Sequence, residues 1–312
     1  MELLLLTVYL FIAIAILVKG ADYFVDGAKD LGLALGMSSF VVGVVIVGFG
    51  TSLPELASSF AGMLAGSPEI VIANAVGSNI TNILLIVGMV AALGGTIVIK
   101  KDLLQSELPM FLIATLHFVV AVYDGVIDRV EALLLFGTFL AYLWYLFADS
   151  VNHRNELGDA RPKIALTKPI MLLLGGVVGV LVGAHFTVQN AVALASALSI
   201  PIGLVSIVAI AVGTSLPELF VSMKAMRAGE SDLAIGNIFG SNTFNILIVV
   251  GLPGLFQSLP ADPVVMQIGL SVFLAASIIL FVNGLSKRVM GWEGAMLLLF
   301  YVFFIVKLSA FV

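Results

Sequence analysis

The strongest constraint on the fold of this chain is a duplication. GFGTSLPELASS at 48–59 reappears as AVGTSLPELFVS at 211–222, and the two copies stand 163 residues apart. The same offset separates Asn82 from Asn245, Ser78 from Ser241, Gly20 from Gly183 and Gly88 from Gly251. Each copy places a glutamate, Glu55 or Glu218, in a run that otherwise reads as lipid-embedded helix. A chain that carries one polar motif twice in apolar surroundings is most economically explained as building one site from two halves.

Composition makes the surroundings lipid. Of 312 residues, 61% are hydrophobic and 11% charged, and the mean hydropathy is +1.19; soluble chains carry roughly 25% charge. The net charge of −5 is scattered, with no basic run of the kind that binds nucleic acid. Cysteine is absent, which excludes disulfides and thiolate metal sites, and the three histidines form no cluster. The first apolar run opens on Glu2 and is followed, not preceded, by Lys19, so it is expected to be a membrane span and not a secretory signal.

A membrane helix needs about 20 apolar residues. Ten runs qualify, near 3–21, 39–64, 70–94, 108–124, 129–148, 169–187, 202–226, 233–256, 264–283 and 291–311. The chain is therefore expected to be an all-α integral membrane protein of ten transmembrane helices. Five fall in a first repeat, 1–148, with its motif region at 40–90. Five more fall in a second, 169–312, with its motif region at 203–253. The polar stretch 149–168, with Arg154, Glu156, Asp159, Arg161, Pro162 and Lys163, reads as a linker. Segments following odd-numbered spans hold 12 of the 14 lysines and arginines, and the other side holds Arg129 and Lys307. The positive-inside rule then puts the linker in the cytoplasm and both termini outside. Because each repeat has an odd number of spans, the second enters the membrane from the opposite face. The two are thus expected to be inverted about an axis in the membrane plane, with Glu55 and Glu218 converging at the midplane.

The motif chemistry points to ions. Pro54 and Pro217 have no N–H to offer the carbonyls of Gly50 and Gly213, which predicts a bend in spans 2 and 7. Freed carbonyls at membrane depth must face protein, water or an ion. Thr51 and Glu55 are spaced to share one helix face, with Ser52 at the bend, and Thr214, Ser215 and Glu218 repeat the set. Ser78 with Asn82, and Ser241 with Asn245, supply further oxygens at the same spacing, while Gly77 and Gly240 leave room for a close neighbour. An all-oxygen set suits hard cations such as calcium or sodium. Each ionised carboxylate costs at least ~2.5–3.5 kcal/mol at the bilayer centre, and one divalent ion, two monovalent ions or two protons would neutralise the pair. If only a neutralised site changes its facing, competition for the carboxylates is exchange.

Other polar residues read as structural. Asn79 and Asn242 repeat but lie off the Ser78–Asn82 face. Asp22, Asp26 and Asp30 have no acidic mates at the repeat offset and read as a solvated cytoplasmic helix end. His117 and His185 read as satisfied membrane histidines, and Met63 and Met226 as packing.

At GTSLPE (50–55 and 213–218), GSNITN (77–82) and GSNTFN (240–245) the chain resembles the sodium/calcium exchanger branch of the calcium/cation antiporter superfamily. The resemblance covers all ten spans in layout. It implies four central ion sites built from Glu55, Glu218, Thr51, Ser52, Thr214, Ser215, Ser78, Ser241, Asn82 and Asn245, with backbone carbonyls of Gly48 and Ala211. It also implies that the first and sixth spans slide against the rest, and the short linker leaves no room for the large regulatory domain of animal exchangers. Relatives that carry aspartate in place of Asn245 include the potassium-dependent branch, so asparagine there argues against potassium dependence. The resulting expectation is a sodium/calcium antiporter of the cytoplasmic membrane, not an enzyme. Its partners would be calcium, sodium and the lipid bilayer, with no cofactor, nucleic acid or obligate protein partner. A proton/calcium or other divalent-cation antiporter of the same fold, and a cation channel, are the alternatives.

Overall fold

The computed structural model describes residues 2–104, 107–157, 165–197 and 213–309, nearly all of them helical. The principal helices are α1 (Glu2–Leu35), α2 (Leu53–Leu64), α3 (Glu69–Ile80), α4 (Glu107–Ala121), α5 (Arg129–Leu157), α6 (Thr167–Ala197), α7 (Leu216–Arg227), α8 (Ser231–Phe244), α9 (Leu270–Ser286) and α10 (Gly291–Ser309). Among the described residues, eight helical segments are long and apolar enough to cross a membrane, and α4 is a shorter apolar helix. Of the expected span 202–226, residues 202–212 lie outside the described residues, and Ala211 with them.

Two expectations change here. Helix α5 continues to Leu157, into the stretch expected as linker, because residues 149–157 contain no glycine or proline to stop it before Gly158. The remaining linker residues 158–164 lie outside the described residues. Spans 2, 3 and 8 are also not uniform α-helices, since π-helical segments occupy Val42–Gly48, Thr81–Val87 and Asn245–Val249. Such segments are inserted where a helix must re-aim side chains, often at functional sites, and all three abut motif residues.

The packing separates into two bodies. One large core runs through α3, α4, α5, α8, α9 and α10 and is cemented by aromatic contacts, Phe111 on Phe239 and Phe118 on Phe273 among them. At its centre the segment Ser231–Gly254 is buried except for the half-buried Asp232 and Leu252. The other body is the pair α1 and α6, joined along a glycine seam. A Cβ on Gly20 would meet the backbone of Gly179 and Val180, and one on Gly183 the backbone of Leu17. Missing Cβ atoms are what allow two membrane helices to approach this closely. The pair touches the rest through a smaller cluster that includes Leu17, Phe24, Val47, Val221 and Leu233.

Four two-residue strands tie the repeats together. Strand β1 (Ile97–Val98) pairs antiparallel with β4 (Arg288–Val289), and β2 (Val126–Ile127) with β3 (Leu259–Pro260). Ile97 faces Val289, and Val126 faces Pro260. Adding the repeat offset to Ile97 gives Pro260, and subtracting it from Val289 gives Val126. The repeat therefore exchanges one ladder for the other, and β1 and β2 lie at opposite ends of α4.

Candidate ion-binding site

The predicted bends fall at Ser52 and Ser215. Both leave the helical region in the same way, with φ −87° and ψ 6° at Ser52 and φ −93° and ψ 5° at Ser215. Helices α2 and α7 then start at Leu53-Pro54 and Leu216-Pro217, positions where a missing N–H costs nothing. Glu55 and Glu218 stand in the first turns of these helices, fully buried, next to the positive ends of the helix dipoles.

Each glutamate is positioned by an asparagine that sequence reasoning passed over. Asn74 Nδ2 donates to the Glu55 carbonyl at 2.9 Å and to the hydroxyls of Ser58 and Ser59 at 3.0 Å. Asn237 Nδ2 donates to the Glu218 carbonyl at 3.3 Å and to Ser222 at 2.8 Å. The signal was in the sequence, because Asn74 and Asn237 are offset mates at the head of the second motif.

The two repeats interlock through their hydroxyls. Thr51 Oγ1 lies 3.4 Å from Ser241 Oγ, and Ser78 Oγ 3.4 Å from Thr214 Oγ1. This corrects the expectation that Thr51 and Glu55 share a helix face: the break at Ser52 lies between them. Thr51 Oγ1 instead lies 3.1 Å both from the Val47 carbonyl of its own helix and from Asn237 Oδ1 of the second repeat. Ser52 donates to Glu218 Oε1 at 3.2 Å, and Ser241 contacts the same oxygen at 3.5 Å and the Gly48 carbonyl at 3.1 Å. Glu55 has Glu218, Thr214 and Ser78 as neighbours.

Several buried oxygens of the motif residues have no hydrogen-bond partner among the described residues. They are both carboxylate oxygens of Glu55, Glu218 Oε2, Ser215 Oγ, Asn82 Oδ1 and Asn245 Oδ1. A buried polar atom left without a partner costs about 1–3 kcal/mol, so six of them on the repeated motifs mark groups held for something else. The donors are all oxygens, and the fixed charge is that of two carboxylates; among the described residues no cluster of three or more histidine, cysteine or acidic side chains exists. Such a set suits hard cations. Asn79 donates to the Asn242 carbonyl at 3.0 Å and accepts from Asn245 at 3.1 Å, while Asn242 donates to Ile238 at 2.7 Å. Both are structural, as expected, although Asn79 also orients Asn245.

A cavity of about 740 Å³ adjoins the cluster. Ser78 and Thr214 lie at its floor, and α2, α3 and α6 wall it up to Ile70, beside the loop 65–68. His185 is exposed on this wall, contrary to the expectation of a satisfied membrane histidine, whereas His117 pairs with Thr138 at 3.0 Å. Gly77 also borders the cavity and has nothing within 4 Å of a Cβ position, so the close neighbour expected there is absent. Its mate Gly240 does have one, the backbone of Val44. Asp22 departs from the expected solvated stripe, since Lys224 of the second repeat pairs with it at 3.0 Å. Asp26 is exposed, Met63 is buried in the core and Met226 packs against it.

Comparison with known proteins gives this geometry a context. The family model described as sodium/calcium exchanger protein matches residues 5–148 and 168–309. The chain is 36% identical to the inner membrane protein YrbG of Escherichia coli, covering 89% of this chain and 88% of that one. It is 33% identical to the sodium/calcium exchanger MaX1 of Methanosarcina acetivorans, covering 96% and 97%. A structure of the sodium-calcium exchanger NCX_Mj, soaked with 2.5 mM Na+ and 0.1 mM Ca2+, superimposes with a TM-score of 0.83 at 30% identity, covering 97% of this chain and 98% of that one. A multi-pass helical protein with these relatives is a cation antiporter, and the chain belongs to the sodium/calcium exchanger family.

Proposed function

We propose that this protein exchanges sodium for calcium across the cytoplasmic membrane by alternating access. Two inverted five-helix repeats hold the ions between them at the midplane. One observation carries the reading: Glu55 and Glu218 are both fully buried, they approach from different repeats, and three of their four carboxylate oxygens have no protein partner. One calcium ion or two sodium ions balance that pair, so the two ions compete for the same charge. Ser52, Thr51, Ser241, Thr214, Ser78, Ser215, Asn82 and Asn245 would complete the ion shells, with the carbonyls of Gly48 and Ala211. The interchange of the two strand ladders under the repeat offset supports the inverted arrangement and the ten-span layout.

The distribution of lysine and arginine supports placing both termini outside. The cavity then opens to the outside, because the loop 65–68 lies one span beyond the cytoplasmic turn at 36–38. The pair α1 and α6, bound to the core by a smaller cluster than the core's own, is the body suited to slide.

Calcium-45 uptake into vesicles preloaded with sodium, potassium or choline tests the proposal. Uptake is expected with sodium alone. Uptake driven only by a proton gradient would replace sodium with protons as the counter-ion, and uptake with no counter-ion at all would replace the antiporter reading with a channel.

A further inference from the structure

The two half-sites are equivalent in sequence but differ in bonding, and the difference follows one atom type. The amide nitrogens of Asn74 and Asn237 do the same thing, each strapping the carbonyl of its own repeat's glutamate. The threonine–serine contacts across the repeats are also the same, at 3.4 Å on both sides. The amide oxygens are not. Asn237 Oδ1 lies 3.1 Å from Thr51 Oγ1 of the other repeat, where it competes for the hydroxyl proton with the Val47 carbonyl of Thr51's own helix, also at 3.1 Å. Its mate, Asn74 Oδ1, receives no such bond from Thr214 among the described residues and meets only Ser78 of its own repeat, at 3.5 Å. The serine beside each threonine follows suit. Ser52 reaches across to Glu218 at 3.2 Å, whereas Ser215 and Glu55 are both without partners.

The bonded half is the packed one, where Gly240 lies against Val44, and the unbonded half borders the cavity. A threonine hydroxyl has one proton and can donate it in only one direction at a time. Drawing Thr51 onto Asn237 therefore ties the first repeat's bend to the second repeat's helix α8, and an equivalent bond from Thr214 to Asn74 would tie the second repeat's bend to α3.

We infer that Asn237 and Asn74 are reciprocal positioning residues: Thr51 bonds Asn237 while the site opens through the present cavity, and Thr214 bonds Asn74 when it opens to the other face. This inference rests on the exchange reading above in needing two facings. It assigns the choice between them to two amide oxygens that touch no ion-bearing carboxylate. Removing one acceptor disfavours one facing and leaves the other, so the two asparagines act in opposite senses.

Facing can be read without transport. The chain has no cysteine, so Ala73→Cys on the cavity wall is a single reporter for a membrane-impermeant maleimide added outside intact cells. Asn237→Ala is expected to slow labelling about five-fold, the shift that one net buried hydrogen bond produces, and Asn74→Ala to leave it unchanged or faster. Thr51→Val removes the same bond from the other partner and should match Asn237→Ala, with the double variant no slower than either. It also serves if Asn237→Ala fails to reach the membrane. Equal shifts from both asparagines, or no shift from either, would overturn the inference. A parent protein that takes up no calcium against sodium would instead overturn the exchange reading, whatever the labelling shows.

Discussion

Glu218 accepts hydrogen bonds from Ser52 and Ser241, whereas neither oxygen of Glu55 has a partner, although the two residues stand at the same place in two copies of one motif. The same contrast holds for their surroundings. Around Glu218 the helices are closed, with Gly240 pressed on the backbone of Val44, and around Glu55 they are parted, with Gly77 facing open space. The residues of the two half-sites are almost identical, so the asymmetry lies in how the helices are packed. A symmetric sequence in an asymmetric packing is what the proposed exchange of two facings requires.

The largest test of this comparison is to remove one charge at a time. Glu55→Gln and Glu218→Gln should each lower sodium-dependent calcium uptake by at least about 100-fold, since losing one member of a buried ionic set costs about 3–5 kcal/mol. If one variant alone kept its flux, the half-sites would not be equivalent in function and a shared two-carboxylate centre would be wrong. The next effect is on assembly. Gly240→Ala forces a methyl group onto the Val44 backbone and should cost roughly 1–3 kcal/mol, seen as a lower melting temperature in detergent, while Gly77→Ala should melt like the parent. Equal melting would mean that the packing asymmetry is not a property of the resting protein.

The smallest effect belongs outside the membrane, at the exposed pair of Asp102 with Lys287, 3.1 Å apart. The hydrogen bond from the Lys287 ammonium, helped by the Leu104 N–H, holds the Asp102 carboxyl below its ordinary range. A depressed carboxyl favours the folded state above its unfolded value and loses that contribution as pH falls through the folded one. Solvent screens so exposed a pair, so Asp102→Asn should change neither uptake nor melting at neutral pH. A clear loss there would show that this end of the molecule is coupled to the site.

Much of this was legible in the sequence because membrane helices are written in long apolar runs and the repeat offset is constant. The glutamates, their flanking hydroxyls and the proline bends were all within its reach, since each follows from a residue type at a fixed spacing. What escaped was relational. Thr51 looked like a partner for Glu55 because helical spacing assumes an unbroken helix, and the break at Ser52 turns it to the other repeat. Asn74 and Asn237 were visible as mates, but an asparagine's use depends on which backbone carbonyl comes within reach. The different fates of Gly77 and Gly240 could not be read at all, because the local sequence, GSN in both, is the same and only the packing around each separates them.

The strand ladders have a consequence for how the protein is made. β1 and β2 both belong to the first repeat, yet neither pairs with its own copy: β2 waits for Leu259–Pro260 and β1 for Arg288–Val289. Short as they are, these are contacts of long sequence separation, which form late because a long loop must close first. A ribosome delivering the chain from its N-terminus releases an entire first repeat whose strand edges stay unpaired until most of the second has entered the bilayer. The ladder of β1 with β4 can close only once Arg288–Val289 has been made, well after that of β2 with β3, so the two ends of α4 are tied down at different moments of synthesis.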